Sequence, residues 1–265
     1  CKAFRIGLGP FGLMNLTGPP IALHSTDYLA EQLNTPRYNG AQNLRDLVEN
    51  NAMWPIEDET EYTQEQYTTV SERLLGVVFG VAAQIVEEDI CSMEDVDRGA
   101  KVGLRWARGP FEMMNRIGVA EAYRMASAYQ SLAGDAWALP SFFKDQSDAG
   151  TNWDFSYVDS STEDGIATIT INRPEAMNAL NEVVVAQLTD AVQAANSDSN
   201  VSTIVLDGAG KAFVAGADVK FFVDKIRSDD IPDIETFTEN GHTLLAALED
   251  SSKTTIALTT GLALG

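Results

Sequence analysis

Two cysteines and two histidines are all that this 265-residue chain holds of the residues that most often build metal sites and nucleophilic triads. Cys1 and Cys91 are too few for a disulfide framework or a zinc site, and they fit a reducing, cytoplasmic setting. His24 and His242 support neither a metal cluster nor a serine triad, so no metal is expected. Basic residues are scarce as well: 18 Lys and Arg stand against 39 Asp and Glu, a formal charge of −21. Nucleic acid is excluded as an expected partner, because phosphates are held by basic patches. Long apolar runs are missing too. The longest, residues 76–83, falls far short of the ~20 residues that a bilayer span requires, so no membrane partner is expected. No secretory signal is visible. What remains is a 45% hydrophobic composition, enough for ordinary packed cores, in a length that suits two domains. The acids are spread through both halves without low-complexity tails. That pattern resembles proteins from salt-accumulating, halophilic cells, whose self-repulsion is screened by salt.

The richest stretch is Lys211-Ala212-Phe213-Val214-Ala215-Gly216-Ala217-Asp218-Val219-Lys220. An apolar strand over residues 202–206 runs into Gly208-Ala209-Gly210. Phe213 and Val214 then meet Ala-Gly-Ala-Asp, and residues 219–226 read as a helix. Gly216 permits backbone geometry that a side chain forbids. The first N–H groups of a helix lack internal partners and sit at its positive end. Ala217 is therefore a candidate donor to an oxygen that gains charge during reaction, an interaction worth on the order of 10²–10³ in rate. An ordinary strand-to-helix turn with Asp218 as N-cap explains the same residues. Upstream, residues 165–171 alternate as a half-buried strand, Asn172-Arg173-Pro174 breaks it, and Asn178 is expected to begin a helix to about Ala195.

Taken together, these segments resemble the crotonase (enoyl-CoA hydratase/isomerase) superfamily, with its R-P-x-x-x-N-A-L and A-G-A-D-[ILV]-K elements. The resemblance runs from about Trp153 to Gly265. It implies that Ala217 supplies one of two oxyanion N–H groups, and that Ala176, Met177, Ala179, Ala215, Asp218, Val219 and Lys220 join it in contacting an acyl-CoA thioester, coenzyme A entering as part of the substrate. Glu175 stands where hydratases of the family often carry a lysine near the CoA phosphates. Residues 256–265 resemble the second oxyanion segment, with Thr260 in place of the usual asparagine. By that resemblance the second donor and the water-activating glutamates are expected beyond Gly265, and the chain alone is expected to be inactive.

The first half is organised differently. Gly9-Pro10-Phe11-Gly12-Leu13-Met14-Asn15-Leu16-Thr17-Gly18 recurs 100 residues on as Gly109-Pro110-Phe111-Glu112-Met113-Met114-Asn115-Arg116-Ile117-Gly118. Two copies make a duplication rather than a solenoid, and proline after glycine suits a first helical turn. Residues 20–34, 41–50 and 71–88 read as helices, the last apolar nearly all round over residues 74–86 and so central, and Ser92 is a candidate cap for another. This half resembles the duplicated helical C-terminal domain of 3-hydroxyacyl-CoA dehydrogenases, cut at its start. The resemblance places the catalytic His–Glu pair and the NAD-binding domain before Cys1. Gly7-Leu8-Gly9-Pro10-Phe11-Gly12 does spell the dinucleotide pattern, with Asp27 about where a ribose acid falls. The break at Thr17-Gly18-Pro19-Pro20, the helical surroundings of Asp27, and Arg108 and Glu112 in the second copy all argue against NAD binding there.

The expected architecture is thus an all-α duplicated helical domain, of the 6-phosphogluconate-dehydrogenase C-terminal type, over residues 1–142. A linker over 143–152 follows, then the N-terminal half of an α/β crotonase (ββα spiral) domain over 153–265. The resemblances imply an archaeal-type fusion that hydrates trans-2-enoyl-CoA and oxidises 3-hydroxyacyl-CoA with NAD in fatty acid β-oxidation, homo-oligomeric when intact. Alternatives are another crotonase-superfamily isomerase or hydrolase, a non-catalytic acyl-CoA-binding or dimerisation protein, and a piece that does not fold stably alone.

Overall fold

The computed structural model describes residues 9–56, 61–133 and 137–264. Its contacts divide it into two units, Cys1–Asp154 and Phe155–Gly265. Among the described residues, the first unit is helical throughout. Its spine is α4 (Gln64–Glu87), preceded by α1 (Pro10–Thr17), α2 (Pro19–Gln32) and α3 (Gln42–Glu49), and followed by α5 (Met93–Gly103), α6 (Pro110–Ile117), α7 (Val119–Ala133) and α8 (Ser141–Ala149). α4 starts seven residues before the expected Ser71. Thr63 and Gln66 close a reciprocal capping box that carries the helix across a polar first turn. Ser92 caps α5 as its position suggests, accepting from Asp95 N–H at 3.2 Å. α4 is long and apolar enough to cross a membrane by length and composition, although its longest uninterrupted apolar run is short. In this unit it packs on α5, α6 and α7 and buries Phe79, Ala82 and Ala83.

Both Gly-Pro-Phe segments open helices in the same way. Gly9 and Gly109 are extended N-caps followed by proline, and Gly18 and Gly118 stop the helices at φ 98° and 92°. Asn15 exchanges two hydrogen bonds with the backbone of Trp54 (2.8 and 2.9 Å), and Asn115 does the same with Trp153 (2.9 and 2.7 Å). Phe11 and Phe111 each lie against that tryptophan. The environments diverge: Phe111 is fully buried and Phe11 is 52% exposed. Residues 143–152, expected as a linker, are mostly α8 and its Gly150 cap. Phe143 on that helix is fully buried, edge-on to Tyr123 and near Trp153. Small polar neighbours hid one aromatic anchor.

The second unit is α/β. β1 (Val158–Glu163) pairs antiparallel with β2 (Ile166–Ile171) through Asp164 and Gly165, at φ 48° and 78°. Aspartate and glycine are the residues a tight hairpin of that hand selects. β2 then runs parallel to β3 (Thr203–Gly208), and β3 parallel to β5 (Thr254–Ala257), giving the order β1-β2-β3-β5. The crossover from β2 to β3 is α9 (Glu182–Ser197), as a parallel pair requires. α9 buries Val184, Val185, Leu188 and Val192 against Ala167, Ile169, Ile171 and Ile204. A second, two-stranded parallel sheet joins β4 (Ala212–Ala215) to β6 (Leu262–Leu264). α10 (Val219–Arg227) and α11 (Ile231–Glu249) complete the unit.

Candidate functional site

Where β2 ends, Arg173 opens a short 3-10 turn, Pro174–Ala176, and Met177 and Asn178 follow in the left-handed region at φ 52° and 55°. Two successive non-glycine residues there are uncommon and need outside support. Asn178 supplies it. Fully buried, it accepts from Arg173 N–H at 2.9 Å and donates to the carbonyls of Ala209 (3.0 Å) and Ala212 (2.7 Å). Asn178 is thus a turn lock and not the start of a helix, contrary to the sequence pattern. α9 begins four residues later under Asn181, whose side chain accepts from Val184 N–H.

The turn lies alongside the Ala-Gly-Ala-Asp segment. Ala215 N–H donates to Met177 C=O (3.1 Å), Leu180 N–H to Gly216 C=O (2.9 Å), and Asp218 N–H to Leu180 C=O (2.7 Å). Leu180 and Ala217 are bridged as parallel partners. A trans peptide holds its C=O and N–H on opposite edges, and no peptide in the described residues is cis. With Gly216 C=O turned to Leu180, Ala217 N–H must point the other way. With Asp218 N–H also turned to Leu180, Ala217 C=O points away as well. Ala217 is exposed, and no backbone acceptor for its N–H is found among the described residues.

The bareness of this N–H has a different cause from the one its sequence suggests. α10 begins at Val219, with Asp218 as its cap accepting from Lys220 N–H at 3.0 Å. Ala217 stands outside the helix, and the bridge to Leu180, with Gly216 at φ 83°, turns the peptide. β6 runs beside β4 with Leu264 opposite Ala215, and residue 265 lies outside the described residues.

The other candidate residues fall into three positions. Ala176, Met177 and Ala179 form the turn, with Met177 53% exposed. Ala215 ends β4, and Val219 and Lys220 are exposed on the first turn of α10. The Asp218 carboxylate is occupied by the protein itself: one oxygen takes Lys220 N–H, as the cap reading expects, and the other pairs with Arg173 at 2.7 Å. In the sequence Arg173 belongs to the strand break and to the R-P element, and in the structure its side chain ties the two motifs together. The signal was an arginine set between an apolar strand and a proline, 45 residues before its partner.

The dinucleotide-like run does not hold together as a site. Gly7 and Leu8 lie outside the described residues. Gly9 to Gly12 open α1, which Gly18 stops after eight residues. Asp27 sits within α2, its carboxylate taken by Arg45 and by Gly40 N–H. A dinucleotide site needs a strand before the glycines and an acid at the end of a second strand, so the described residues do not fit NAD.

Comparison with known proteins finds a match in each of the two units. Residues 166–265 match the family model for enoyl-CoA hydratase/isomerase, and residues 70–152 that for the 3-hydroxyacyl-CoA dehydrogenase C-terminal domain. The segment matching the dehydrogenase model precedes the one matching the hydratase/isomerase model. A crotonyl-CoA hydratase of Syntrophomonas wolfei is 38% identical over 104 residues, 39% of this chain and 38% of that protein. A 2,3-dehydroadipyl-CoA hydratase of Escherichia coli is 34% identical over 105 residues, 40% and 39% of the two. Among solved structures, an enoyl-CoA hydratase/isomerase of Xanthobacter autotrophicus is 28% identical, with a TM-score of 0.36 and coverage of 40% and 39%. The chain spans about two fifths of the length of the curated relatives it matches.

Proposed function

We propose that the intact protein acts on fatty acyl-CoA thioesters in β-oxidation, adding water across trans-2-enoyl-CoA and oxidising 3-hydroxyacyl-CoA with NAD. The observation that carries the reading is the peptide between Gly216 and Ala217, anchored by its carbonyl and with no backbone acceptor for its N–H among the described residues. When hydroxyl adds at C3 of an enoyl thioester, negative charge passes to the thioester oxygen before a proton reaches C2. A fixed N–H aimed at that oxygen stabilises the charge without reorganising. Ala217 is assigned that role, with Met177, Ala179 and the first turn of α10 as neighbouring walls. Asp218 serves through its backbone and its hold on α10. An isomerase or thioester hydrolase of the superfamily would polarise the same carbonyl. The hydratase names of the relatives favour hydration.

A duplicated helical first unit is part of the proposal. It is supported by the twin proline starts, the twin glycine stops and the two Asn–Trp pairings. NAD is assigned to no residue here, and neither is the acid–base pair for hydration, so the 265-residue chain is proposed to bind thioesters without turning them over. Mixing this chain with crotonyl-CoA tests both parts. Saturable binding with no loss of enoyl absorbance is the expected result. No binding at millimolar thioester overturns the site, and turnover overturns the inactivity.

A further inference from the structure

The Arg173 side chain is 16% exposed and that of Asp218 12%. One guanidinium nitrogen, Nη1, donates both to Ala179 C=O (3.0 Å) and to Asp218 Oδ2 (2.7 Å), and the group lies 5.5 Å from the centre of the Tyr157 ring. These contacts hold the two segments that flank Ala217. Ala179 precedes Leu180, whose N–H and C=O fix the peptides on either side of residue 217. Asp218 follows Ala217 and is gripped at its backbone N–H, at one oxygen by Lys220 N–H and at the other by Arg173. Half-buried charges joined in this way resist rotation, because separating them leaves a desolvated charge unpaired. A donor earns its catalytic worth from fixed direction, and small misplacements cost much of it.

We infer that Arg173 is a positioning residue: by joining Ala179 C=O to the Asp218 carboxylate, it sets the direction in which Ala217 N–H points. This inference rests on the thioester reading of the site. It predicts that loss of the link leaves binding nearly intact while loosening the donor from the bound carbonyl.

The test uses the ¹⁵N-labelled 265-residue chain and two probes, crotonyl-CoA and the S-(2-butenyl) thioether of CoA, which lacks the carbonyl. In the unsubstituted chain, the Ala217 amide proton should move downfield with the thioester and not with the thioether. If both probes move it equally, or neither does, the thioester reading itself fails. If the difference is present, Arg173→Gln should reduce it at least threefold while the Val219 and Lys220 amides still respond to both probes. Arg173→Lys, which keeps the charge, should restore part of it. Asp218→Asn breaks the pair from the other end while keeping a capping oxygen, and should show the same loss, so the test survives if Arg173→Gln does not fold. An undiminished carbonyl-dependent shift in a folded variant of either kind overturns the inference.

Discussion

At the scale of single residues, the most consequential side chain outside the candidate site is Asp97. It is 2% exposed and accepts the N–H groups of Phe111 (2.8 Å) and Glu112 (2.9 Å), capping the first turn of α6 from within α5. Burial pushes its carboxyl up to about 6, against the pull of those two donors and of Lys101. A raised acid means that the folded chain binds a proton that the unfolded chain has released. Stability from this group therefore falls as pH rises from about 4 to about 6, then levels off, by at most about 3 kcal/mol. Asp97→Asn cannot ionise but gives up one acceptor oxygen, at roughly 1 kcal/mol. The variant should be the less stable chain near pH 4 and gain steadily on the parent up to about pH 6.5. Urea midpoints across that range measure the difference, and a flat or falling difference shows that the two N–H groups outweigh burial. Legibility at this scale was uneven. The Asp218 cap followed from its place before an apolar helical run. Asn178 did not, because Asn-Ala-Leu followed by Asn-Glu reads as a helix start, and only a partner 31 to 34 residues away holds it in the left-handed turn.

At the scale of elements, two glycines inside helices differ in what surrounds them, and opposite effects follow. Gly76 on α4 faces α7, and a Cβ placed there would lie 2.5 Å from Met125 C=O. Alanine favours a helix over glycine by about 1 kcal/mol, but a backbone oxygen cannot swing aside, and overpacking of this kind costs about 1–3 kcal/mol. Crowding wins, and Gly76→Ala should lower the unfolding midpoint. Gly99 on α5 has no neighbour within 4 Å of such a Cβ, so Gly99→Ala should raise it by roughly 0.5–1 kcal/mol. Paired thermal melts check the signs, and a gain at Gly76 would mean that α4 and α7 are packed less closely than described. Elements with an apolar rhythm were readable in advance: β2, β3, α10 and the centre of α4 all fall where period and turn residues put them. β1 was not, since Val-Asp-Ser-Ser-Thr-Glu has no alternating apolar face and is exposed nearly throughout. Its one local sign was Asp164-Gly165. α8 was missed for the reverse reason, since its buried anchor Phe143 stands among Lys144, Asp145, Gln146 and Ser147.

At the scale of the whole molecule, charge sets the expectation. Eighteen basic residues can neutralise at most eighteen of thirty-nine acids, so at least twenty-one carboxylates lack a cation of their own. Exposed pairs such as Lys144–Asp148 and Arg124–Glu121 contribute about 0–1 kcal/mol each and weaken with salt. Repulsion among the surplus acids also weakens with salt, and it acts over every pair within a Debye length, about 10 Å at 0.1 M and about 3 Å at 1 M. The two effects have opposite signs, and the excess of like charge decides in favour of stabilisation by salt. The thermal midpoint should therefore rise as KCl goes from dilute to molar. The shape of that rise separates two explanations. Screening is nearly complete once the Debye length drops below the spacing of neighbouring carboxylates, at roughly 0.5 M. A midpoint that levels off there marks an ordinary acidic protein relieved of repulsion. One that climbs on to about 2 M KCl supports the halophilic proposal, in which a carboxylate-rich surface is stabilised by concentrated salt beyond screening. A flat or falling midpoint from the outset removes that proposal and shows that the local ion pairs outweigh the net charge.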